Sequence, residues 1–112
     1  MDILFCTNRL EKECNNKRIL VKRFGAQRSK LLKRRLAELS AANVLEDLRD
    51  LPQARCHELH GKRKGQLSVD LDGPYRLVFK PANDPLPKKS DGGLDWTRIT
   101  AIMIIGVEDT HE

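Results

Sequence analysis

The sequence is poor in aromatic residues and in cysteine. Phe, Tyr and Trp make up 4% of its 112 residues, and the three cysteines, Cys6, Cys14 and Cys56, include no CxxC pair. An odd number of cysteines argues against a closed disulfide framework, and the absence of a CxxC pair argues against a zinc knuckle. We therefore expect three reduced thiols that mostly fill space in the core.

Long hydrophobic runs are also missing. The longest, residues 99–107, is well short of the roughly 20 residues that a membrane-spanning helix needs. The N-terminal sequence MDILFCTNR lacks the basic leader of a cleavable signal peptide. The length of 112 residues fits one domain, 1–112. These features predict a single-domain cytoplasmic protein with no membrane contact.

Acidic residues are absent from the segment 17–35, which contains nine Lys or Arg in a chain of net charge +5. Clustered cations favour a polyanionic partner, because they neutralise phosphates and attract nucleic acid over a distance. A solvated helix surface without a ligand is the alternative interpretation of the same segment.

The first half of the chain has helical periodicity. A β-capable run at 2–7 precedes a short helix, for which Asn8 and Glu11 have capping-box spacing. A second helix is predicted over 26–41, with one apolar and one cationic face. A further short helix over 44–51 ends before a proline. The second helix has its apolar stripe at Leu32, Leu36 and Leu39 and its cations at Lys30, Lys33, Arg34 and Arg35.

In the second half, the hydrophobic pattern changes to alternation. Residues 67–71 and 75–79 alternate around the turn sequence DGP, which predicts a β-hairpin. Several Pro and Gly residues within 82–95 predict an exposed loop. The segment 97–107 is apolar on both alternations, which predicts a strand inside the sheet and covered on both sides. The order of elements predicts an α+β fold, with the N-terminal strand and helices packed on one face of a mostly antiparallel sheet.

Spacing argues against a metal site and against a nucleotide-binding loop. His57 and His60 lie three apart on a predicted strand and so point to opposite faces, and HELH does not match the HExxH of zinc proteases. The sequence HGKRKG lacks the GxxxxGK[ST] spacing of a phosphate-binding loop. We therefore predict no metal and no other cofactor.

The segment CHELHGKRKGQLSVDLDGPYRLVFKP, residues 56–81, is compatible with metal-free acid and base chemistry on RNA. Attack by a ribose 2′-hydroxyl needs a base, cations around the phosphate and an acid for the departing 5′ oxygen. Histidine suits both proton transfers, because its reference pKa is about 6.5. The residues that one sheet face would bring together are His60, Lys62, Arg63, Lys64, Arg76 and His111.

These residues also have structural interpretations. A histidine at the end of a strand is often a surface residue, and loop cations often serve solubility. His57, in phase with the apolar Leu59, is more consistent with a structural role. Arg76 alternates away from the predicted core and needs a partner, which is Asp70 or Glu58 across the sheet or an RNA phosphate.

The same segment, together with VLEDLRDLP, DGGLDW, GVEDTHE and the helical LKRRLAEL, resembles HigB-type killer proteins of the RelE/ParE toxin superfamily. The resemblance extends over nearly the whole chain, and its blocks follow in the same order with similar spacing. It implies a compact RelE-like, microbial-ribonuclease-type fold. It also implies a ribosome-dependent mRNA endonuclease that cuts the A-site codon without metal and thereby inhibits translation.

The resemblance further implies partners and site residues. The partners are a cognate HigA-type helix-turn-helix antitoxin, the ribosome with its rRNA, and mRNA, and operator DNA is contacted only through the antitoxin. The cationic helix would then bind ribosomal RNA, as would Arg63. By position, the family's catalytic residues correspond to His60, to Lys62 or Lys64, to Arg76, and to Asp109 and His111 of a C-terminal Asp-Tyr-His motif.

One position departs from the family pattern. Thr110 occupies the place of the motif tyrosine, and a threonine cannot stack on an unstacked RNA base. The first interpretation is an mRNA interferase with attenuated activity or altered codon preference. The second is a catalytically weak or inactive binding module that acts through its complex with the antitoxin. A third is a basic protein that binds free RNA without ribosomes.

Overall fold

The structure, a computed structural model, describes residues 1–110. Within these residues it contains three α-helices and five β-strands, with short 3-10 helices at Leu45–Asp50, Gly61–Arg63 and Trp96–Arg98. The helices are α1 (Asn8–Cys14), α2 (Lys17–Phe24) and α3 (Ala26–Ala41). The strands are β1 (Asp2–Phe5), β2 (His57–Glu58), β3 (Leu67–Asp70), β4 (Tyr75–Pro81) and β5 (Ala101–Asp109).

The five strands form one sheet in the order β1-β5-β4-β3-β2. β1 runs parallel to β5, and the other neighbours are antiparallel. The predicted α+β fold is therefore confirmed, including the hairpin of β3 and β4 and the interior position of the last strand. That strand begins at Ala101, later than predicted, because Trp96–Arg98 forms a 3-10 turn capped by the side chain of Asp95. It is also covered less than predicted, since only Ile102 and Ile104 of its residues are fully buried.

The basic segment is helical on both sides of a glycine. Gly25 has φ 82°, in the left-handed region that glycine adopts without strain, and it separates α2 from α3. A second break, which the periodicity did not predict, separates α1 from α2, where the Asn16 side chain caps the new helix. The cap of α1 is Thr7, whose Oγ1 accepts from the Leu10 N–H at 3.1 Å, and not the predicted Asn8. No helix within residues 1–110 has the length and apolarity needed to cross a membrane.

The hydrophobic core lies between the helices and one face of the sheet. Full burial of a Leu or Phe side chain contributes about 1.5–3 kcal/mol before conformational entropy is counted, so these contacts dominate the fold. The core includes Leu32 and Leu39 of α3 and Leu67, Val69, Leu77, Phe79, Ile102 and Ile104 of the sheet.

The cysteines form no disulfide within the part of the chain that the structure describes. Cys14 and Cys56 pack against the core, and burial raises the pKa of Cys14 to about 11 and that of Cys56 to about 12. Cys6 is exposed, with its Sγ 3.3 Å from the Ile105 carbonyl. Two of the three thiols therefore fill space as expected.

Arg35 is buried and so differs from the exposed cations of α3, which are Lys30, Lys33 and Arg34. Its side chain is only 6% exposed. Its Nε donates to the Asp70 carbonyl at 2.8 Å, its Nη2 to the Gln53 carbonyl at 3.1 Å, and its Nη1 to Glu38 at 2.8 Å. The prediction that Arg35 binds RNA is wrong, because this buried guanidinium is used in linking α3 to β3. Its position, three residues after Leu32, puts it beside the apolar stripe.

The loop at 82–95 is exposed along most of its length but anchored at both ends. Asn83 Oδ1 accepts from the backbone N–H groups of Thr100 and Ala101, at 3.0 and 3.2 Å. Leu94 packs against the core, next to an isolated β-bridge with Lys88. The loop thus lies along the start of β5, which it helps to position.

Candidate active site

The strands present two different faces. Alternation in β3 and β4 directs Leu67, Val69, Leu77 and Phe79 to the helices. The residues between them point to the other side. We call this side the pocket face and define it by His57, Ser68, Asp70, Arg76 and Val78, which the register aligns across β2, β3 and β4.

A cavity of about 300 Å³ lies at one end of the pocket face. One of its walls, Glu58, is held in place by the Trp96 indole, whose Nε1 donates to the carboxylate at 3.1 Å. Among residues 1–110, no phenylalanine, tyrosine or tryptophan lines it. The lining residues are Arg55, His57, Glu58, Leu59, His60, Arg76 and Thr110.

Arg76 lines the cavity from the start of β4. Its Nε lies 2.9 Å from Asp70 Oδ1, and its Nη1 donates to the carbonyls of Gly73 and Tyr75, each at 3.0 Å. The prediction that Arg76 points away from the core is confirmed, and of the two acids proposed as its partner the structure selects Asp70. The ion pair and the two hydrogen bonds hold the guanidinium in one orientation. None of these contacts involves its Nη2.

Arg55 also lines the cavity, and sequence reasoning missed it. Its φ is 47°, in the left-handed region, which costs a residue with a Cβ about 1–2 kcal/mol. Its Nε donates to Asp70 Oδ2 at 2.9 Å, and this bond raises the pKa of the Arg55 guanidinium. One carboxylate, that of Asp70, therefore pairs with two arginines. Nothing in the local sequence indicated this backbone conformation or this pairing.

His57 faces the cavity, where a structural role had been predicted. Its Nδ1 lies 2.9 Å from the Arg55 carbonyl. A carbonyl only accepts, so Nδ1 carries the proton and Nε2 of the neutral ring keeps its lone pair. His57 and Leu59 share a face of the sheet, as predicted. That face is the pocket face, since Leu59 is buried but does not belong to the core beneath the helices.

His60 lies at the rim of the cavity, directly before the 3-10 turn Gly61–Arg63. It is exposed, and its ring makes no hydrogen bond to any of residues 1–110. The turn that follows requires glycine at two positions, since Gly61 and Gly65 have φ of 64° and 93°. Two imidazoles thus line one cavity, one with a fixed tautomer and the other open to solvent.

The cations of the turn divide into two kinds. Arg63 pairs with Glu108 on β5, with Nη2 2.7 Å from Oε1 and Nη1 3.1 Å from Oε2. Lys62 and Lys64 are exposed and make no ion pair within the described part of the chain. Arg63 therefore ties the turn to the sheet, whereas the two lysines are available to a ligand beside the cavity.

The predicted C-terminal residues are not all brought together. Asp109 lies opposite Tyr75, whose ring is on the helix side of the sheet, 3.6 Å from the Arg28 guanidinium carbon. Asp109 is therefore absent from the cavity lining, whereas Thr110, the next residue, belongs to it. The prediction for His111 lies outside the described residues.

The cationic helix and the cavity lie on opposite faces of the sheet. Lys30, Lys33 and Arg34 are exposed on the outer side of α3, whose inner side packs on the core. Among residues 1–110, no group of three or more His, Cys, Asp or Glu residues is arranged to hold a metal ion. The cavity therefore offers imidazoles for proton transfer and guanidinium groups for an anion.

Comparison with known proteins agrees with this fold. The family of HigB-like toxins, described as RelE-like toxins of the type II toxin-antitoxin system HigB, matches residues 13–88. A solved structure, the YoeB/ParE toxin from Agrobacterium tumefaciens, aligns with a TM-score of 0.53 and 10% sequence identity over 99% of this chain and all of that one. None of the curated proteins compared with the sequence matches it.

The two comparisons carry different information. At 10% identity the structural likeness shows the fold, which is that of RelE and YoeB toxins. The family match covers more than half of the chain and includes β2, β3, β4 and most of the residues that line the cavity. The chain therefore belongs to the HigB-like toxins of type II toxin-antitoxin systems, within the RelE superfamily.

Proposed function

We propose that this toxin is a ribosome-dependent endoribonuclease that cuts mRNA in the ribosomal A site and so stops translation. The observation that carries the proposal is the cavity where two histidines meet two arginines. Histidines supply proton transfer near neutral pH, and fixed arginines stabilise charge on a phosphate. Membership of a toxin family supports the same conclusion.

The proposed reaction is attack of a ribose 2′-hydroxyl on the adjacent phosphorus. His57 Nε2 removes the hydroxyl proton, and the new P–O bond forms as the bond to the 5′ oxygen breaks. His60, as an imidazolium, donates a proton to the departing oxygen. The products are a 2′,3′-cyclic phosphate and a 5′-hydroxyl end, and Arg76 stabilises the negative charge of the phosphorane transition state.

The C-terminal residues have a reduced part in this scheme. Asp109 is left out, because its register opposite Tyr75 directs it away from the cavity. His111 is proposed as a further proton-transfer group. Thr110 lines the cavity where a family tyrosine would stack on a base, so we expect a weaker or altered codon preference.

The wider surface provides electrostatic attraction to the ribosome. Lys62 and Lys64 lie beside the cavity and would contact phosphates near the cut. Lys30, Lys33 and Arg34, on the other side of the molecule, would contact ribosomal RNA at a distance from it. The partners we propose are the ribosome and mRNA in the cytoplasm, together with a HigA-type helix-turn-helix antitoxin that neutralises the toxin and links it to operator DNA.

Primer extension in a translation extract tests the proposal. The wild type should produce new mRNA 5′ ends at A-site codons, and these ends should vanish without ribosomes. His57→Ala and His60→Ala should each reduce them about 10²–10⁴-fold. Asp91→Asn, at an exposed position that does not line the cavity, is the control and should leave them unchanged. Cleavage that survives both histidine substitutions would remove these residues from the mechanism.

A second function is favoured by the threonine that lines the cavity. With Thr110 in place of tyrosine, the domain would act as a binding module through its complex with the antitoxin. This alternative predicts no new RNA ends from folded wild-type protein. Thr110→Tyr should then produce them, whereas under the endonuclease hypothesis the same substitution changes only the yield or codon preference.

A further inference from the structure

We propose that Arg55 binds an RNA phosphate together with Arg76, and that Asp70 is the positioning residue that holds both guanidinium groups for this purpose. The inference rests on the proposed function and extends it to two residues that no sequence motif marks. It makes the cavity a two-arginine phosphate site and not a site with a single cation.

The contacts of Asp70 carry the first step. Its Oδ1 lies 2.9 Å from Arg76 Nε, and its Oδ2 accepts from Arg55 Nε at 2.9 Å. Both arginines pair with Asp70 through Nε. Within residues 1–110, the two Nη groups of Arg55 and the Nη2 of Arg76 therefore have no partner. An Nη edge is the part of a guanidinium that pairs with two oxygens of a phosphate.

The charge balance points to an anion. Two guanidinium groups share one carboxylate, so these three residues carry one net positive charge beside the cavity. The other carboxylate of the cavity wall, Glu58, accepts from the Trp96 indole and pairs with neither arginine. The main chain that carries the shared carboxylate is held on both sides of the Asp70 Cα. The Asp70 N–H donates to the Ala54 carbonyl, and the Asp70 carbonyl accepts from Arg35, each at 2.8 Å. Such preorganisation reduces the entropy lost when a ligand binds.

The backbone of Arg55 supplies an independent argument. A φ of 47° suits glycine or asparagine, and arginine gains nothing from it. The side chain is 58% exposed and so does little packing. A strained residue whose side chain lies mostly in solvent, at the wall of a cavity, is explained by a requirement for the guanidinium at that place. A surface ion pair with no ligand is the competing explanation.

Arg55→Gly separates these explanations. Glycine relieves the strained φ, so the thermal midpoint should stay equal to that of the wild type or rise. The KM for ribosome-bound mRNA should increase about 10–100-fold, the range expected when a charge-assisted bond to a phosphate is removed, with kcat changed less than about threefold. An unchanged KM, with the cleavage of the wild type intact, would overturn the inference while leaving the proposed function in place.

Asp70→Asn tests the positioning role. The substitution keeps the shape of the side chain but removes the charge that orients the two arginines. Its effect on KM should be much smaller when Arg55→Gly is already present, because Asp70 then has one arginine fewer to hold. Equal effects in the two backgrounds would assign Asp70 a purely structural role and refute the proposal.

A binding measurement makes the test independent of activity. In the wild type, the Nε–H NMR signals of Arg55 and Arg76 should shift on titration with a 2′-deoxy oligonucleotide, which lacks the attacking hydroxyl. The Nε–H of Arg28, bonded to Asp72 on the helix side at 2.8 Å, is the internal control and should not move. Shifts without any ribosomal cleavage would support the phosphate site and reject the endonuclease, whereas absent or uniform shifts would reject the site.

Discussion

Arginines on the two faces of the sheet are paired in different ways. On the helix side, Arg28 and Arg35 each have a carboxylate of their own, that of Asp72 and that of Glu38. On the pocket face, Arg55 and Arg76 share one carboxylate. We infer from this difference that Arg28 and Arg35 serve to hold the fold together, whereas Arg55 and Arg76 keep a positive charge for the anionic ligand proposed above.

The helix-side pair of Arg28 illustrates the first kind. Its Nε and Nη2 donate to the two oxygens of Asp72 at 2.8 and 3.2 Å, and its guanidinium lies over the Tyr75 ring. The salt bridge uses the Nε and Nη2 edge of the guanidinium, and the ring contact uses one of its faces. No comparable set of contacts covers the Nη edge of Arg55 within residues 1–110, and this is the contrast that substitutions can test.

The largest effect is expected from Arg76→Ala. Loss of the guanidinium that stabilises transition-state charge should reduce cleavage in the translation extract about 10²–10³-fold, and Arg76→Lys should recover only part of it because lysine lacks the planar fork. Arg28→Ala, the matched helix-side variant, should leave cleavage per folded molecule nearly unchanged. A similar loss from both variants would show that the two faces do not differ.

The next largest effect concerns stability. Arg35→Ala leaves two carbonyl groups without this donor and Glu38 without its ion-pair partner, so urea denaturation should show a free energy of unfolding lower by about 3 kcal/mol. The adjacent, exposed Arg34→Ala should change it by less than about 0.5 kcal/mol. Equal stability of the two variants would mean that the buried head group contributes nothing to the attachment of α3 to β3.

A smaller effect separates the exposed lysines of the two faces. Removing Lys62 and Lys64 together should weaken ribosome binding and reduce the slope of log K against log salt concentration by roughly 1.4, about 0.7 for each phosphate that is no longer neutralised. Replacing Lys30 and Lys33 on α3 removes the same charge and should reduce the slope by less than replacing Lys62 and Lys64. The reverse ranking would make the cationic helix the main attachment to ribosomal RNA.

The smallest effect depends on pH. The bond from Arg28 holds the pKa of Asp72 below its usual value. The pair therefore stabilises the protein above the unfolded pKa of about 3.9, and this contribution is lost as pH falls through the lower, folded pKa. Asp72→Asn should reduce stability by about 1 kcal/mol at pH 7, since the pair is partly exposed, and by progressively less in acid.

Thermal unfolding from pH 7 to pH 2 measures this difference. The exposed Asp91→Asn is the control and should follow the wild type at every pH. A difference between wild type and Asp72→Asn that stays constant with pH would show that the ion pair is not its source.

Local patterns predicted the parts of the site that lie on one regular strand. Alternation in β3 and β4 correctly directed Arg76 away from the core, because the side-chain period of a strand is two residues wherever it packs. It left the partner open, and the register of the two strands selects Asp70. For His57, alternation did not predict the side of the sheet on which it lies. Its partner in phase, Leu59, is apolar and buried, yet it lies on the pocket face, and alternation does not say which side the helices cover.

The sequence by itself determined the β-hairpin, the family and the order in which helices precede the main strands of the sheet, since each depends on residues close together in the chain or on the order of motifs. Only the tertiary structure decided that Arg35 is buried, that Asp109 faces the helix side and that Arg55 reaches Asp70 with a positive φ. These features depend on how α3 rotates against the sheet and how one turn closes onto β3. Many weak contacts between distant segments set those geometries together, so no local pattern encodes them.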